Sequence, residues 1–362
     1  MAREQNRYRY SSGLYRSGNR GGWKKLGTFL LLLIPLLALL LWAGNLVVSR
    51  HIIVEERRLT VLNLPSDLEE YSILHLSDLH GARYGEKQKY LGSALSGMRY
   101  SCVVMTGDML GEDGDVEPLL ELLALMPRDT PKYLIPGDTD GPVVETRAHN
   151  SLSVYPDWVL RLRDAGVQVL ERPVSETRGK GTIWFIPEDL YVRDRDGMRM
   201  VYRQQLKDLN KRAASLTPDD AARSRALEYE LERLDALEES IKKIQPGDIQ
   251  IVLTHTPLTS DYVSDMISWS SKEDTFSIRY ASLILAGHYN GGQWRLPFGR
   301  ALYVPELGWF PDDSLVQGLS YLEGIPQHIS PGLGADPRYT YEPGRFYNSP
   351  TITRITLTRK TN

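Results

Sequence analysis

Cysteine is nearly missing from the sequence, which has 1 among its 362 residues. Cys102 therefore cannot form an intrachain disulfide, and its place in the apolar run 102–105 is typical of a small core side chain. A basic excess is missing too: the formal net charge is −3, so no nucleic-acid partner is expected. The sequence also lacks the G-x-x-x-x-G-K-S/T pattern of a nucleotide phosphate loop.

One long apolar run lies near the N-terminus, where residues 26–48 carry no charged side chain. At about 1.5 Å per residue, a helix of this length spans a hydrocarbon core of roughly 30 Å. A cleaved signal peptide is the alternative, but its apolar region usually has about 7–15 residues. A retained transmembrane helix is therefore favoured.

The flanking basic residues predict how this helix is oriented. The excess of Lys and Arg marks the cytoplasmic side, and it lies before the run. The basic residues are Arg3, Arg7, Arg9, Arg16, Arg20, Lys24 and Lys25 before it, and Arg50, Arg57 and Arg58 after it. The predicted organisation is a cytoplasmic basic tail at 1–25, a single transmembrane helix at 26–48, a juxtamembrane segment at 49–68 and an extracytoplasmic domain at 69–362.

Within that domain, five short apolar runs end at polar residues capable of chemistry. The runs at 71–76, 102–105, 133–135, 249–253 and 283–286 are typical of buried strands, and 116–126 between the second and third predicts a helix. Strand, helix and strand predict a βαβ unit with its functional loops at one edge of a sheet. The polar residues at the five ends are Asp78, His80, Asp108, Asp138, Asp140, His255, His288 and Asn290.

Residues 199–245 differ from the rest because they are rich in charge and contain no glycine. Thr217 and Pro218, followed by Asp220, are typical of a helix start. Leucine and isoleucine then recur at spacings of three and four up to Ile244, which is a heptad-like stripe. The pattern predicts a helical hairpin inserted into the α/β domain, and a plain surface helix is the alternative.

The strand-end residues have the chemistry of metal ligands. Carboxylate and imidazole groups together suit divalent transition metals, and a carboxylate shared by two ions would hold them about 3.5–4 Å apart. A single Asp after a strand is more often a turn former or helix cap, and a single His is more often structural. Five such strand ends in order favour a metal centre.

The strand-end residues belong to five short motifs, which are D-x-H at Asp78, G-D at Asp108, G-D-T-D at Asp138, H at His255 and G-H-Y-N at His288. The order of these motifs resembles that of the calcineurin-like metallophosphoesterase superfamily. That family's pattern is D-x-H, G-D, G-N-H-D/E, H and G-H-x-H. The segments SDLHGARYGEKQ, GHYNGGQWRLPFGRALYVP and RFYNSP narrow the resemblance to membrane-anchored bacterial phosphoesterases related to YkuE and YaeI. It covers residues 69–358, interrupted by the hairpin.

The resemblance implies an α/β fold, a four-layer sandwich of two mixed β-sheets flanked by helices. It also implies two divalent metal ions, which could be Mn, Fe, Zn or Mg. Asp78 and His80 would bind the first ion, Asp108 both ions, and His255 and His288 the second. Asp138 and Asn290 would complete the metal ligands.

Three positions depart from the family pattern. Asp138 replaces a metal-binding Asn, Asn290 replaces a metal-binding His, and Thr139 replaces the His that contacts phosphate and assists the leaving group. With Asp138 the ligand set carries −3 instead of −2, which weakens attraction for a phosphate anion. The predicted catalytic residues are Asp108, Asp138, Thr139 and Arg83, although Arg83 could equally be a solvated loop cation.

Two functions follow. The first is hydrolysis of a phosphomonoester or phosphodiester at the outer membrane face by a hydroxide activated between two metals. Its substrate would be a lipid head group or a phosphorylated envelope polymer. The second is a catalytically impaired binding module that docks a ligand or protein partner through the 199–245 hairpin. For the aromatic residues Tyr303, Trp309 and Phe310, core packing is expected in preference to a wall beside the site.

Overall fold

The computed structural model describes residues 20–144, 155–211, 217–271, 274–297, 299–339 and 344–360. The chain divides into two units between Val47 and Val48. The first unit contains all of α1 (Arg20–Val48) except its last residue, and α1 is a single helix with Pro35 inside it. Its Gly27–Val48 part has a mean hydropathy of 2.5 and is long and apolar enough to cross a membrane. Most of the predicted basic tail, residues 1–19, lies outside the described residues.

The second unit contains a mixed six-stranded sheet, sheet A. Its strands are β1 (Ile53–Val61), β2 (Ser72–Leu76), β3 (Cys102–Thr106), β4 (Lys132–Ile135), β5 (Val167–Val169) and β14 (Thr351–Arg359). They lie in the order β1-β14-β2-β3-β4-β5. Strands β2 to β5 are parallel, β14 is antiparallel to β2, and β1 is parallel to β14. Strand β1 comes from the segment predicted as juxtamembrane.

A second mixed six-stranded sheet, sheet B, is built from the later part of the chain. Its strands are β6 (Val174–Arg178), β7 (Gly181–Pro187), β8 (Ile249–Leu253), β9 (Ala281–Ala286), β12 (Gly318–Leu322) and β13 (Ile325–Ile329). Their order is β12-β13-β9-β8-β7-β6, and β7, β8, β9 and β13 are parallel. A separate short ribbon pairs β10 (Tyr303–Val304) with β11 (Gly308–Trp309).

The α-helices described in the second unit are α2 (Lys89–Leu95), α3 (Glu117–Leu123), α4 (Asp157–Asp164), α5 (Arg195–Asn210), α6 (Pro218–Ile241), α7 (Ser260–Trp269) and α8 (Asp313–Val316). Helices α2 to α4 cover the outer face of sheet A and helices α6 and α7 that of sheet B, whereas α5 packs on α6 and α8 packs with Val304 of β10. Alternate residues of the strands divide between cores: Val104 packs between the sheets, whereas Val103 and Met105 pack under α2 to α4. Val252 of sheet B likewise packs toward α6 and α7. The predicted four-layer α/β sandwich is confirmed.

The 199–245 region forms two helices that pack on each other, α5 and α6. Arg195 pairs with Glu238 and Arg199 with Asp235, which is an antiparallel arrangement. Helix α6 begins with the predicted cap, because the Thr217 and Asp220 side chains bond each other's backbone N–H groups. The two helices lie in the crossover between the parallel strands β7 and β8. Residues 212–216 between them are not described.

Candidate metal centre

The sheets bring the predicted strand-end residues together in two clusters. The first contains Asp78, His80 and Asp108, and the second contains Asp138, His255 and His288. Within each cluster, the candidate ligand atoms all lie within 4.8 Å of one another. The first cluster comes from the ends of β2 and β3, and the second from the ends of β4, β8 and β9. Residues from both sheets therefore meet at one rim of the sandwich.

Asp108 connects the two clusters. Its Oδ2 atom lies 3.7 Å from His80 Nε2 and 3.3 Å from His255 Nε2. Its other oxygen, Oδ1, accepts a hydrogen bond from the Thr139 backbone N–H at 2.8 Å. The Oδ2 atom is buried and has no hydrogen-bond partner. A buried carboxylate oxygen left open between two imidazoles is suited to a shared cation.

The first cluster is enclosed by the fold. Asp78 is fully buried, and its two carboxylate oxygens accept from the His288 backbone N–H at 3.0 and 3.2 Å. Asn290 is also buried, and its Nδ2 atom lies 3.4 Å from His80 Nε2. The Asn290 Oδ1 and His80 Nδ1 atoms are buried without a partner. Asn290 thus lies where the family pattern has its last His.

The second cluster opens to solvent on one side. His255 is oriented by its Nδ1 atom, 2.8 Å from the Thr106 carbonyl oxygen, so that Nε2 faces Asp108. The His288 Nδ1 atom lies 3.2 Å from His255 Nε2 and 3.4 Å from Asp138 Oδ2. The Asp138 side chain is 47% exposed.

Glu306 is a member of the site that the sequence prediction missed. Its Oε1 atom lies 3.6 Å from His288 Nε2, on the side of the ring away from Asp138. Carboxylates often hold the second nitrogen of a metal-ligating His in this way. No motif marks Glu306, since it follows β10 in a loop and reaches His288 through the path of that loop.

The backbone of the site is locally strained. Asp78, His80, Asp108, His288 and Asn290 all have positive φ angles, between 47° and 78°. Such angles cost energy in residues other than glycine and cluster at functional sites. Gly107, with φ of 88°, also has no room for a side chain: a Cβ there would lie 2.6 Å from Gly137 Cα and 2.7 Å from His255 Nδ1. Close approach of the loops after β3 and β4 requires glycine.

The charged groups of the site shift one another's pKa values. Burial raises the pKa of Asp78 to about 6 and lowers that of His80. Burial also opposes ionisation of Asp108, but the adjacent His255 outweighs it and holds the Asp108 pKa well below its usual range. Burial likewise lowers the pKa of His255, but the Asp108 and Asp78 carboxylates outweigh it and raise the pKa to about 9.

The remaining predicted residues take different places. The Thr139 Oγ1 atom is buried without a partner beside Asp108, to which its backbone N–H is bonded. Asp140 accepts from the backbone N–H groups of Leu110 and Gly137 at 2.8 and 2.9 Å, so it ties the loops after β3 and β4 together. Arg83 lies 3.6 Å from Asp115 and 3.7 Å from Glu121, and its side chain is half exposed. Its catalytic role stays a prediction.

Two facing sheets with carboxylate and imidazole clusters at one rim are an arrangement of metal-dependent hydrolases. The family model for calcineurin-like phosphoesterases matches residues 71–290. Since this span is more than half of the chain, the protein belongs to the calcineurin-like phosphoesterase family. Members usually bind divalent metals, and the two clusters are the candidate ligands here.

Among solved structures, phosphopantetheinyl hydrolase (PptH) from Mycobacterium tuberculosis is similar at 16% sequence identity. The match covers 72% of this chain and 89% of that chain, with a TM-score of 0.37. A comparison with curated proteins gives no significant match.

Proposed function

We propose that the protein hydrolyses a phosphomonoester or phosphodiester with two divalent metal ions, and that it belongs to the branch of the family related to YkuE and YaeI. The observation that carries the proposal is the buried Asp108 Oδ2 atom, which lies unpartnered between His80 and His255. An oxygen in this position is suited to join two metal sites. Family membership supports phosphoester hydrolysis as the chemistry.

The ligand roles follow from the clusters. Asp78, His80 and Asn290 would hold one ion, and His255, His288 and Asp138 the other, with Asp108 shared. Bound there, the ions would supply Lewis acidity at the phosphoryl group and lower the pKa of a water molecule. Manganese, iron, zinc and magnesium all remain candidates, because the ligand set mixes carboxylate, amide and imidazole groups.

Backbone groups of the protein hold two of the proposed metal ligands in place. The Thr139 N–H and the Thr106 carbonyl fix Asp108 and His255, so that the two side chains need little reorganisation. The buried Thr139 hydroxyl could donate a hydrogen bond to a phosphoryl oxygen, but a hydroxyl cannot protonate a leaving group near neutral pH as imidazole does. A good leaving group is therefore expected to suit the enzyme best.

The test uses the full-length protein in detergent. It is stripped of metal, reloaded with each candidate ion, and assayed for bound metal and for hydrolysis of aryl phosphomonoesters and phosphodiesters. We expect two ions per chain and hydrolysis that depends on them. Tight binding of two ions without hydrolysis of any phosphoester would instead favour the second function, a ligand- or partner-binding module.

The location of the reaction is a further part of the proposal. The apolar helix Gly27–Val48 and the basic residues before it support a single-pass protein with a cytoplasmic N-terminus and an extracytoplasmic domain. The substrate would then be a lipid or envelope phosphoester. Protease added to intact cells, or to protoplasts where a wall blocks access, should digest the domain. Protection from an active protease would contradict this orientation.

The helical hairpin α5–α6 is the proposed docking site for a protein partner. Leu227, Leu234 and Leu237 of the α6 stripe are already buried within this chain. A partner would have to use the outer surface, where Met200 and Val201 of α5 are exposed.

A further inference from the structure

A cavity of about 370 Å³ lies directly beside the metal centre. His288 and Asn290 line it, His288 belongs to the second cluster, and Asn290 lies beside His80 of the first. Residues of the ribbon β10–β11 and of the segment before it also line the cavity. A group attached to a phosphate at the clusters could therefore extend past His288 into this cavity.

The wall of the cavity is mostly apolar. It includes Tyr289, Leu302, Tyr303, Val304, Pro305 and Trp309. Trp309 is 68% exposed and Tyr303 is 44% exposed, with their ring centroids 5.0 Å apart. The expected core packing of Tyr303, Trp309 and Phe310 is therefore wrong, because all three are surface residues. Large aromatic surfaces left open beside a reaction site are typical of a binding surface.

The ribbon β10–β11 is held in place by a small core cluster and by its cross-strand pairs. Val304 packs with Ala301 and Val316 in a small core cluster of its own. Two cross-strand pairs, Tyr303 with Trp309 and Val304 with Gly308, join β10 and β11. The rings of Tyr303 and Trp309 therefore have a fixed support, although they contribute little to the main cores. A preformed apolar wall loses less conformational entropy when a ligand binds than a flexible wall does.

The charged residues that line the cavity are paired. Glu306 contacts His288, and Arg338 donates from Nε to both carboxylate oxygens of Asp336 and from Nη2 to Oδ2, at 2.8–3.1 Å. The side chain of Gln293 already accepts from the Asp336 backbone N–H. A nucleobase needs free hydrogen-bonding groups and parallel ring faces, whereas Tyr303 and Trp309 are tilted by 48° against each other. An alkyl chain needs neither.

We propose that this cavity binds the alkyl chain of a lipid phosphoester whose phosphate lies at the two clusters. The inference rests on the proposed function and narrows its substrate class to amphiphiles. Apolar contact in the cavity would then contribute affinity that grows with chain length. Burial of one methylene contributes about 0.8 kcal/mol, which is about fourfold in affinity.

The test measures binding separately from catalysis. Metal-loaded full-length protein in detergent is titrated calorimetrically with ethyl, butyl, hexyl and octyl phosphonate, which cannot be hydrolysed at an ester bond. In wild type we expect the dissociation constant to fall by up to about fourfold per added methylene until the cavity is filled. Trp309→Ala and the double variant Trp309→Ala/Tyr303→Ala should flatten this dependence.

Trp269→Ala is the matched control. Trp269 is 66% exposed, close to the value for Trp309, but it lies on α7 and does not line the cavity. Its variant should keep the wild-type chain-length dependence. An equal affinity for ethyl and octyl phosphonate, an unchanged dependence in the double variant, or tighter binding of a nucleoside monophosphate than of octyl phosphonate would each overturn the proposal. Hydrolysis of short aryl esters would still test the proposed function independently.

Discussion

The two metal-binding clusters differ in how closely the fold encloses them. In the first, Asp78 is fully buried and its oxygens are held by the backbone of His288. In the second, Asp138 is half exposed on the loop after β4. Two of the three departures from the family pattern, Asp138 and Thr139, lie on that loop. The comparison indicates that the buried cluster is fixed by the fold, whereas the exposed loop can change its chemistry without disturbing the sheets.

The largest effect should come from removing the residue that the clusters share. Asp108→Ala takes one ligand from each cluster and leaves His80 and His255 facing a void. Mutating a residue that only hydrogen-bonds to a metal ligand typically lowers metal affinity or activity by about 10- to 100-fold. Loss of a shared ligand should therefore lower activity by at least about 10²-fold and remove most of the bound metal. Metal analysis and phosphodiesterase assays measure both.

Asp196→Ala is the control for this variant, because Asp196 is 91% exposed on α5. It should keep wild-type metal content. If Asp108→Ala still retained two ions per chain with full activity, a shared carboxylate could not be the link between the clusters.

The second prediction concerns pH. Before metals bind, protons must leave His255, with a pKa raised to about 9, and below pH 6 also Asp78, with a pKa raised to about 6. Metal affinity should therefore increase with pH, by about tenfold per unit between pH 6 and 9 and more steeply below 6. Metal titrations in buffers of different pH, with proton release measured alongside, check this.

The buried cluster should determine the steeper pH dependence of metal affinity below pH 6. Asp78→Asn removes that proton, so the extra slope below pH 6 should vanish while overall affinity falls. An affinity that does not depend on pH between 6 and 9 would contradict the coupling between His255 and Asp108.

The third prediction sharpens the comparison by restoring the family residues. Thr139→His supplies an imidazole of ordinary pKa about 6.5 for leaving-group protonation, and Asn290→His adds nitrogen ligation. Together they should raise turnover of an aryl phosphodiester by at least about tenfold. Their effects need not add, since both residues lie next to the Asp108–His80 contact.

The control replaces Thr139 by Gln and Asn290 by His, which gives a side chain of similar size without a titrating group. An equal gain in this control would assign the improvement to ligation at Asn290 and not to acid catalysis. No gain in either variant, with metal fully bound, would mean that the loop has diverged further than these two positions.

The smallest effect is expected at the exposed Asp138. Asp138→Asn lowers the charge of the ligand set from −3 to −2, which should strengthen attraction of an anionic substrate. Because the side chain is 47% exposed, the gain should be screened to about two- to fivefold in KM and should shrink at high salt. Asp196→Asn serves as the control, and a KM that is insensitive to salt would argue against an electrostatic cause.

The family resemblance implied the four-layer fold, and the order of the strand-end ligands predicted the meeting of Asp78, Asp108, His255 and His288. That order could do so because the carboxyl ends of parallel strands meet at one edge, whatever the loops between them do. Strand β7 (Gly181–Pro187) was missed: its apolar run ends at Pro187, with no metal ligand to mark it. Glu306 was missed, and Trp309 was wrongly expected in the core, because their positions depend on the path of a long loop, which periodicity does not determine.

The pairing of β1 with β14 has a consequence for how the protein is made. Nine residue pairs, from Ile53 with Thr351 to Val61 with Arg359, join the two ends of the domain, and β14 also lies between β1 and β2. A growing chain has no partner for β1, and β2 keeps one bare edge, until the last strand has been synthesised. Sheet A can therefore close only after Thr351–Arg359 has been synthesised. Premature termination before Thr351 should leave an aggregation-prone, protease-sensitive chain rather than a smaller folded enzyme.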